Sequence, residues 1–340
     1  MYSFKDQFNL DIQKYKNIII TSHINPDFDS LASTLLLYLF ISKKFPNKKI
    51  QIIYKTSNNG NIKVKFPLSK LVNYTTDIDN VLLNNSDLII FLDSNSYKQI
   101  GINDCSILND KRLICIDHHA SDPDYFDLQY IDINASSCAE LIFDILWKDE
   151  DYNEEIAIIT LLGIMGDTNV FEFIKPQNSK LFHLIGDLIN KFNIDISHLK
   201  KTYMGFETKL IPLIQEALNN VEIIKLHRFS IIISYLSEVI LENYNDYEIS
   251  EAKSLYSTVF SQNFYGVEVS AFFYPSQDFI ICSLRSKPKS PSVLEIAKHF
   301  GGGGHIRAAG FRIPRSNDLT IKQIVRNFRT EIENIPIIII

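Results

Sequence analysis

Four short, largely apolar runs occupy residues 17–21, 49–54, 87–92 and 112–116, and apart from Lys49-Ile50-Gln51-Ile52 none of them alternates apolar with polar positions. A strand with one face in water alternates, whereas a strand buried on both faces does not. These runs therefore require helices on both sides of the sheet they form. Residues 31–44, 139–147 and 154–165 carry helical patterns that can supply such cover. The expected fold class is α/β, with a doubly wound, mainly parallel sheet. Ligands on such sheets bind beyond the carboxyl ends of the strands.

Polar clusters lie at those ends. Ser22-His23-Ile24-Asn25-Pro26-Asp27-Phe28-Asp29-Ser30 follows the first run and places one imidazole and two carboxylates in a short loop. Pro26 confines the residue before it to extended geometry. Asp29 or Ser30 can also cap the next helix. Asp93 ends the third run, and Asp117-His118-His119 ends the fourth. Side chains of neighbouring residues diverge, so the two histidines have different tasks. Gly166-Asp167-Thr168-Asn169 puts a further acid in a turn after a helix. Together these are five carboxylates and three histidines at one sheet edge. Oxygen and imidazole donors suit hard divalent cations, Mn²⁺ among them.

A helical stretch, 179–220, leads to a different pattern. Residues 221–225, 230–235, 267–274 and 279–284 read as strands, with helices at 251–262 and 292–300, and 337–340 reads as a closing strand. The domains expected are 1–190, a connector at 191–220, and a second, smaller α/β domain at 221–340. With 340 residues, two domains is also the expectation from length.

Charge divides the chain as well. Residues 285–329 hold ten Lys or Arg and two acids, a local +8, so the remainder carries −14 of the formal −6. An acidic bulk argues against a general nucleic-acid coat. One basic end suits a phosphate-bearing ligand. The four cysteines include no CxxC pair, and no apolar run spans a bilayer. Both features indicate a cytoplasmic protein with free thiols and no membrane partner.

The order His-x-x-x-Asp-x-Asp, strand-end Asp, Asp-His-His, Gly-Asp-Thr resembles the DHH phosphoesterase superfamily. Ser283-Leu284-Arg285-Ser286 and Gly301-Gly302-Gly303-Gly304-His305-Ile306-Arg307-Ala308-Ala309-Gly310 resemble its associated C-terminal domain. The resemblance spans residues 22–311 and is greatest to the compact nanoRNase/pAp-phosphatase branch. It implies two divalent cations, Mn²⁺ first, with Mg²⁺ or Co²⁺ as alternatives. His23 and Asp27 would hold one, Asp29, His118 and Asp167 the other, and Asp93 would bridge them. His119 would face the substrate phosphate, and Asp117 would orient a neighbouring imidazole. Arg285, Gly302, Gly303, Gly304, His305 and Arg307 would bind substrate, the glycines as a nest of N–H groups.

The activity implied is hydrolysis of short oligonucleotides or of 3′-phosphoadenosine 5′-phosphate (pAp). A RecJ-like single-strand DNA exonuclease and a cyclic or linear dinucleotide phosphodiesterase stand as alternatives, and a silent nucleotide sensor is a reading from another class. A homodimer is left open. The chain departs from the family at Phe28, where a small residue is usual, and at Ala32 and Asn169, where Gly is usual. Phe28 either crowds the metal loop or lines the substrate pocket. Asn169 tolerates a positive φ better than other non-glycine residues.

Overall fold

The computed structural model describes residues 3–24, 26–56, 65–120, 125–226, 229–257, 263–287, 289–316, 319–332 and 335. Asn25, the end of the expected 251–262 helix and the expected strand at 337–340 lie outside them. The chain divides into two compact units, Met1–Gly205 and Phe206–Ile340. The stretch 191–220 is shared between the units: the helix Ile196–Tyr203 lies in the first and Ile211–Asn219 in the second.

The first unit is built on six strands: β1 Asn17–Thr21, β2 Lys49–Lys55, β3 Val72–Thr75, β4 Leu88–Leu92, β5 Arg112–Asp117 and β6 Leu128–Ile131. Their order is β3-β2-β1-β4-β5-β6, and every pairing is parallel. The pleat explains the apolar runs. Ile18, Ile20, Leu88, Ile90, Leu92, Ile114 and Ile116 enter one core. Ile19, Ile89, Phe91, Leu113 and Cys115 enter another on the opposite face. Burying one such side chain fully is worth about 1.5–3 kcal/mol, so a polar residue within these runs would be costly on either face.

Helices Phe28–Lys44, Cys138–Ile142 and Glu154–Asp167 cover the first face. They meet at Gly163. A β-carbon there would lie 2.5 Å from Ala139 Cβ and 2.7 Å from Ala32 Cβ. The expected 139–147 helix is α-helical over Cys138–Ile142 and continues as a π turn over Phe143–Trp147. The Phe28–Lys44 helix starts three residues earlier than its sequence pattern. Asp27, not Asp29 or Ser30, caps it: its Oδ1 accepts the Ser30 amide at 3.0 Å, and the Ser30 hydroxyl accepts the Asp27 amide at 3.0 Å.

The second unit holds β7 Glu222–Lys225, β8 Ser230–Tyr235, β9 Val269–Pro275, β10 Phe279–Ser286, β11 Gly303–Gly304 and β12 Ala308–Pro314. The order is β11-β12-β10-β9-β8-β7, antiparallel except for β8 with β9. Helices Val293–His299 and Ile321–Ile332 pack on one face. Helices Ile211–Asn219 and Asp246–Leu255 pack on the other, at its β8–β9 side. Among the described residues, no helix is long and apolar enough to cross a membrane.

Candidate metal centre

The three strand-end clusters and the helix-end Asp167 converge in the first unit. His23, two residues beyond β1, has its Nε2 3.4 Å from Asp93 Oδ2 and 3.6 Å from Asp27 Oδ2. The Asp27 carboxylate thus divides its oxygens, one capping the helix and one facing the cluster. His118, just past β5, has its Nε2 3.0 Å from Asp167 Oδ2, 3.4 Å from Asp93 Oδ1 and 3.8 Å from Asp29 Oδ2. Three overlapping donor groups result, His23–Asp27–Asp93, Asp29–His118–Asp167 and Asp93–Asp117–His118–His119, and the two oxygens of Asp93 face His23 and His118 respectively.

The backbone gives Asp93 this position. Its amide continues the sheet ladder to Ile116 O at 3.1 Å, and its φ of 51° then turns the chain out of the strand. Asp is among the few non-glycine residues that enter this region readily. Asp29 is fully buried, and its carboxylate accepts the amides of Cys138 and Ala139 at 2.6 and 2.8 Å. Asp167 is the last residue of its helix rather than part of the following turn.

Asp117 serves the other histidine. Its Oδ1 takes the amides of His118 and His119 at 2.7 and 3.1 Å, and lies 2.9 Å from His119 Nδ1. The His119 ring is then fixed at one edge while its side chain stays 56% exposed, which leaves it open to a ligand.

Charge within the cluster is strongly shifted. Burial disfavours a proton on His23, but Asp27 and Asp93 outweigh it and raise the group to about 10. Burial likewise opposes protonation of His118, and Asp167 and Asp93 raise it to about 11. Burial alone would raise Asp93; the facing imidazoles of His118 and His23, each 3.4 Å away, hold it below the usual carboxylate range. Asp29 is pushed well up, first by burial and then by Asp93 and Asp167. Asp117 raises His119. The cluster therefore retains protons as its counter-charge. Buried Asp93 Oδ1 and His118 Nε2 nevertheless find no hydrogen-bond partner. Unsatisfied buried acceptors among several carboxylates fit cations better than protons. No thiolate competes, because the nearby Cys138 Sγ is directed to Ile116 O at 3.2 Å.

The DHH family N-terminal domain matches residues 17–164. A probable bifunctional oligoribonuclease and PAP phosphatase of Streptococcus mutans is 30% identical over 302 residues, covering 88% of this chain and 90% of the relative. The chain belongs to the DHH family. A bifunctional oligoribonuclease and PAP phosphatase of Bacillus subtilis is 27% identical, over 89% of this chain and 91% of the relative. Among solved structures, an exopolyphosphatase-related protein of Bacteroides fragilis superposes with a TM-score of 0.78 at 24% identity, over 96% of both chains. RecJ of Thermus thermophilus, solved with Mn²⁺, has a TM-score of 0.52 at 13% identity, over 97% of this chain and 53% of that one.

The departures from the DHH pattern acquire physical reasons. The Phe28 ring packs edge-on against Phe66, with centroids 5.5 Å apart, and joins the first-unit core. A β-carbon at Gly166 would lie 2.6 Å from Phe28 Cβ, so Gly166 makes room for Phe28 next to Asp167. Asn169 has φ 48°, in line with the expectation, but Val170 and Phe171 follow at 56° and 72°. A β-branched residue there is an outlier. Bonds from Val170 N to Met165 O (2.8 Å) and from Phe171 N to Thr168 Oγ1 (3.0 Å) hold the turn. Nothing in the residue types announces it.

The remaining DHH-pattern candidates lie in the second unit. Gly301, at φ 74°, closes the Val293–His299 helix. A β-carbon at Gly302 would lie 2.2 Å from Gly310 O, and one at Gly304 2.6 Å from Ala308 O. Gly303 and Gly304 pair with Gly310 and Ala309. The amides of Gly302 and His305 donate to Ala297 O and Ala308 O at 2.8 and 2.7 Å. The run is therefore a close-packed hairpin, and these amides are not free for the anion nest expected from sequence. The His305 side chain is exposed. Arg307 donates to Ser290 O at 2.6 Å. Arg285 donates to Ser283 Oγ and Leu284 O at 3.2 and 2.9 Å.

Proposed function

We propose that this DHH-family chain is a metal-dependent phosphoesterase acting on short oligonucleotides and on pAp. The observation that carries the reading is Asp93, whose two oxygens face two separate His-carboxylate groups. Two names among the relatives, those of Streptococcus mutans and Bacillus subtilis, point to the same substrates.

In this reading His23 and Asp27 would hold one divalent cation, Asp29, His118 and Asp167 would hold a second, and Asp93 would be shared between them. Mn²⁺ suits this oxygen and imidazole set. Such a pair supplies an acidified water and stabilises charge on a phosphoryl group. Four carboxylates, Asp27, Asp29, Asp93 and Asp167, match the +4 of two cations and leave an anionic substrate tolerable. His119, oriented through Nδ1 by Asp117, presents its outer nitrogen to a phosphate oxygen and can donate a proton there. Residues 221–340 supply substrate binding, with Arg285 and His305 as exposed or partly exposed donors and Arg307 beside them. Free cysteines, three of them buried, accord with a cytoplasmic location.

The test is purified protein with Mn²⁺, supplied in parallel with pAp, a labelled RNA dinucleotide and a 20-residue single strand. Turnover of pAp and the dinucleotide, with little shortening of the long strand, is expected. Processive digestion of the 20-mer would replace this reading with the RecJ-like one.

A further inference from the structure

Among the described residues, two half-buried cations of the second unit, Lys253 and Arg285, have no carboxylate at ion-pair distance. On β10, the residues Ile281, Ser283 and Arg285 sit opposite Tyr274, Phe272 and Ser270 of β9. This is the face on which helix Asp246–Leu255 packs, through Ile249 and Ala252 against Phe272. Lys253 follows Ala252 on that helix. Both Lys253 and Arg285 are half-buried. Arg285 spends one guanidinium nitrogen on Ser283 Oγ and Leu284 O. Among the described residues, neither cation has a carboxylate within ion-pair distance, and Lys253 makes no hydrogen bond.

Elsewhere in the unit, three exposed cations are supplied with acids, while others such as Lys225, Lys322 and Arg326 have none among the described residues. Lys209 reaches Glu207 and Glu248 at 2.8 and 2.9 Å, Lys298 reaches Glu295 at 3.2 Å, and Arg329 pairs with Glu222. What sets Lys253 and Arg285 apart from those exposed cations is their partial burial. A charge in water gains little from a partner, while a partly desolvated charge without one is costly. Burial, and then the field of Arg285, depress the Lys253 ammonium below the ordinary lysine range. Burial likewise lowers Arg285. The nearest opposing influence is Tyr274, whose hydroxyl burial pushes up to about 12, so it stays neutral near pH 7.

We propose that Lys253 and Arg285 form one site for a terminal phosphomonoester, which makes Lys253 a further substrate-binding residue. A phosphomonoester carries about −1.5 to −2 at pH 7 and matches two cations, whereas an internal phosphodiester carries one charge and leaves a cation uncompensated. The guanidinium supplies a planar fork and the ammonium a mobile point charge. The substrates selected are therefore short nucleotides ending in a phosphate rather than in a hydroxyl. The inference rests on reading Arg285 as a substrate-binding residue. It does not depend on the metals.

Two measurements on the full chain test it. The first is equilibrium binding of adenosine 5′-monophosphate, adenosine 3′-monophosphate and adenosine without added metal. One of the monophosphates should bind at least tenfold tighter than adenosine. Lys253→Gln should remove about tenfold or more of that margin, the loss of one charge-assisted hydrogen bond, and Lys253→Arg should restore part of it. Equal binding of nucleoside and nucleotides, or equal losses on both in Lys253→Gln, overturns the proposal. The second is Mn²⁺-supported turnover of a dinucleotide with and without a terminal phosphate. Lys253→Gln should raise KM for the phosphorylated form by the larger factor and change kcat less. If the binding results hold but the protein hydrolyses no nucleotide, the site stands and the proposed activity falls. Unchanged discrimination between the two dinucleotides overturns the site.

Discussion

In the first unit each histidine of the cluster has a carboxylate within 3.4 Å, whereas in the second unit Lys253 and Arg285 have none. Both regions are partly shielded from water, so the difference lies in what each has been given to neutralise. The first holds an excess of carboxylates over imidazoles and keeps protons to balance them. The second holds two cations on the helix-packed face of a mainly antiparallel sheet. On the reading proposed above, one region is a store of negative charge that would accept cations, and the other a store of positive charge that would accept an anion. A phosphate ester handled with divalent cations calls for both.

The largest effect should come from breaking the first region at its centre. Asp93→Ala removes the carboxylate that faces both His23 and His118, and turnover should fall by several orders of magnitude. The buried strands around it should keep the fold, as far-ultraviolet circular dichroism can verify. Near-normal turnover in a folded Asp93→Ala protein would remove the basis of the two-cation reading.

Acidity should weaken cation binding in the same region. His23 and His118 have folded-state values of about 10 and about 11, above the ordinary 6.5. In the cation-free protein their protons stabilise the fold in full below about 6.5, and that contribution is lost as pH rises through the folded values. Near neutrality an arriving cation must displace both protons. Mn²⁺ affinity should therefore climb with pH between about 7 and 9, by up to about a hundredfold per unit if two protons leave together. Calorimetry in buffers of different ionisation enthalpy counts those protons. Release of none would show that the imidazoles are not ligands.

The second region should respond differently. Arg285→Ala should raise KM for terminally phosphorylated short oligonucleotides by about ten- to a hundredfold, the scale of one charge-assisted hydrogen bond. The loss on bis-p-nitrophenyl phosphate should be far smaller, and Mn²⁺ content should stay at the wild-type level. Equal losses on both substrates would place Arg285 at the reacting centre or in support of the fold.

How much of this could be read from sequence followed from physical rules. Strands β1, β2, β4 and β5 were legible because burial on both faces forces continuous apolar runs. The cluster was legible because its acids and histidines follow those runs. Strands β3 and β6, at the sheet edges, are half-buried and carry polar residues such as Asn73 and Gln129, so no run marks them. Asp27 concealed a helix start because one carboxylate both caps and faces the cluster. Val170 and Phe171 concealed a left-handed turn, since neither residue type favours one. Lys253 looks like any helix-surface lysine; only the tertiary position beside Arg285 distinguishes it. The glycine run was read as a ligand nest, and the structure gives most of its members a different reason to be glycine.

That last difference supports the smallest of the expected effects. A β-carbon at Gly302 would lie 2.2 Å from Gly310 O, 2.6 Å from Phe311 Cβ and 2.7 Å from Phe311 Cα, whereas one at Gly303 meets nothing within 4 Å. Strand β12 is held between β10 and β11, so its backbone cannot retreat from the new methyl group. Gly302→Ala should cost about 1–3 kcal/mol of stability, the usual scale of overpacking, and Gly303→Ala should cost less than half as much. Circular dichroism melts compare the two. The single tryptophan, Trp147, is buried in the first unit, so its fluorescence reports on that unit. Mn²⁺ content should be the same in both variants if the glycines serve the hairpin alone. Loss of Mn²⁺ in Gly302→Ala would show that the hairpin supports the cation-holding region, and the division of roles between the two units would have to be redrawn. Equal stability of the two variants would instead show that β12 yields to the methyl group, and the ligand reading of the glycine run would regain its ground.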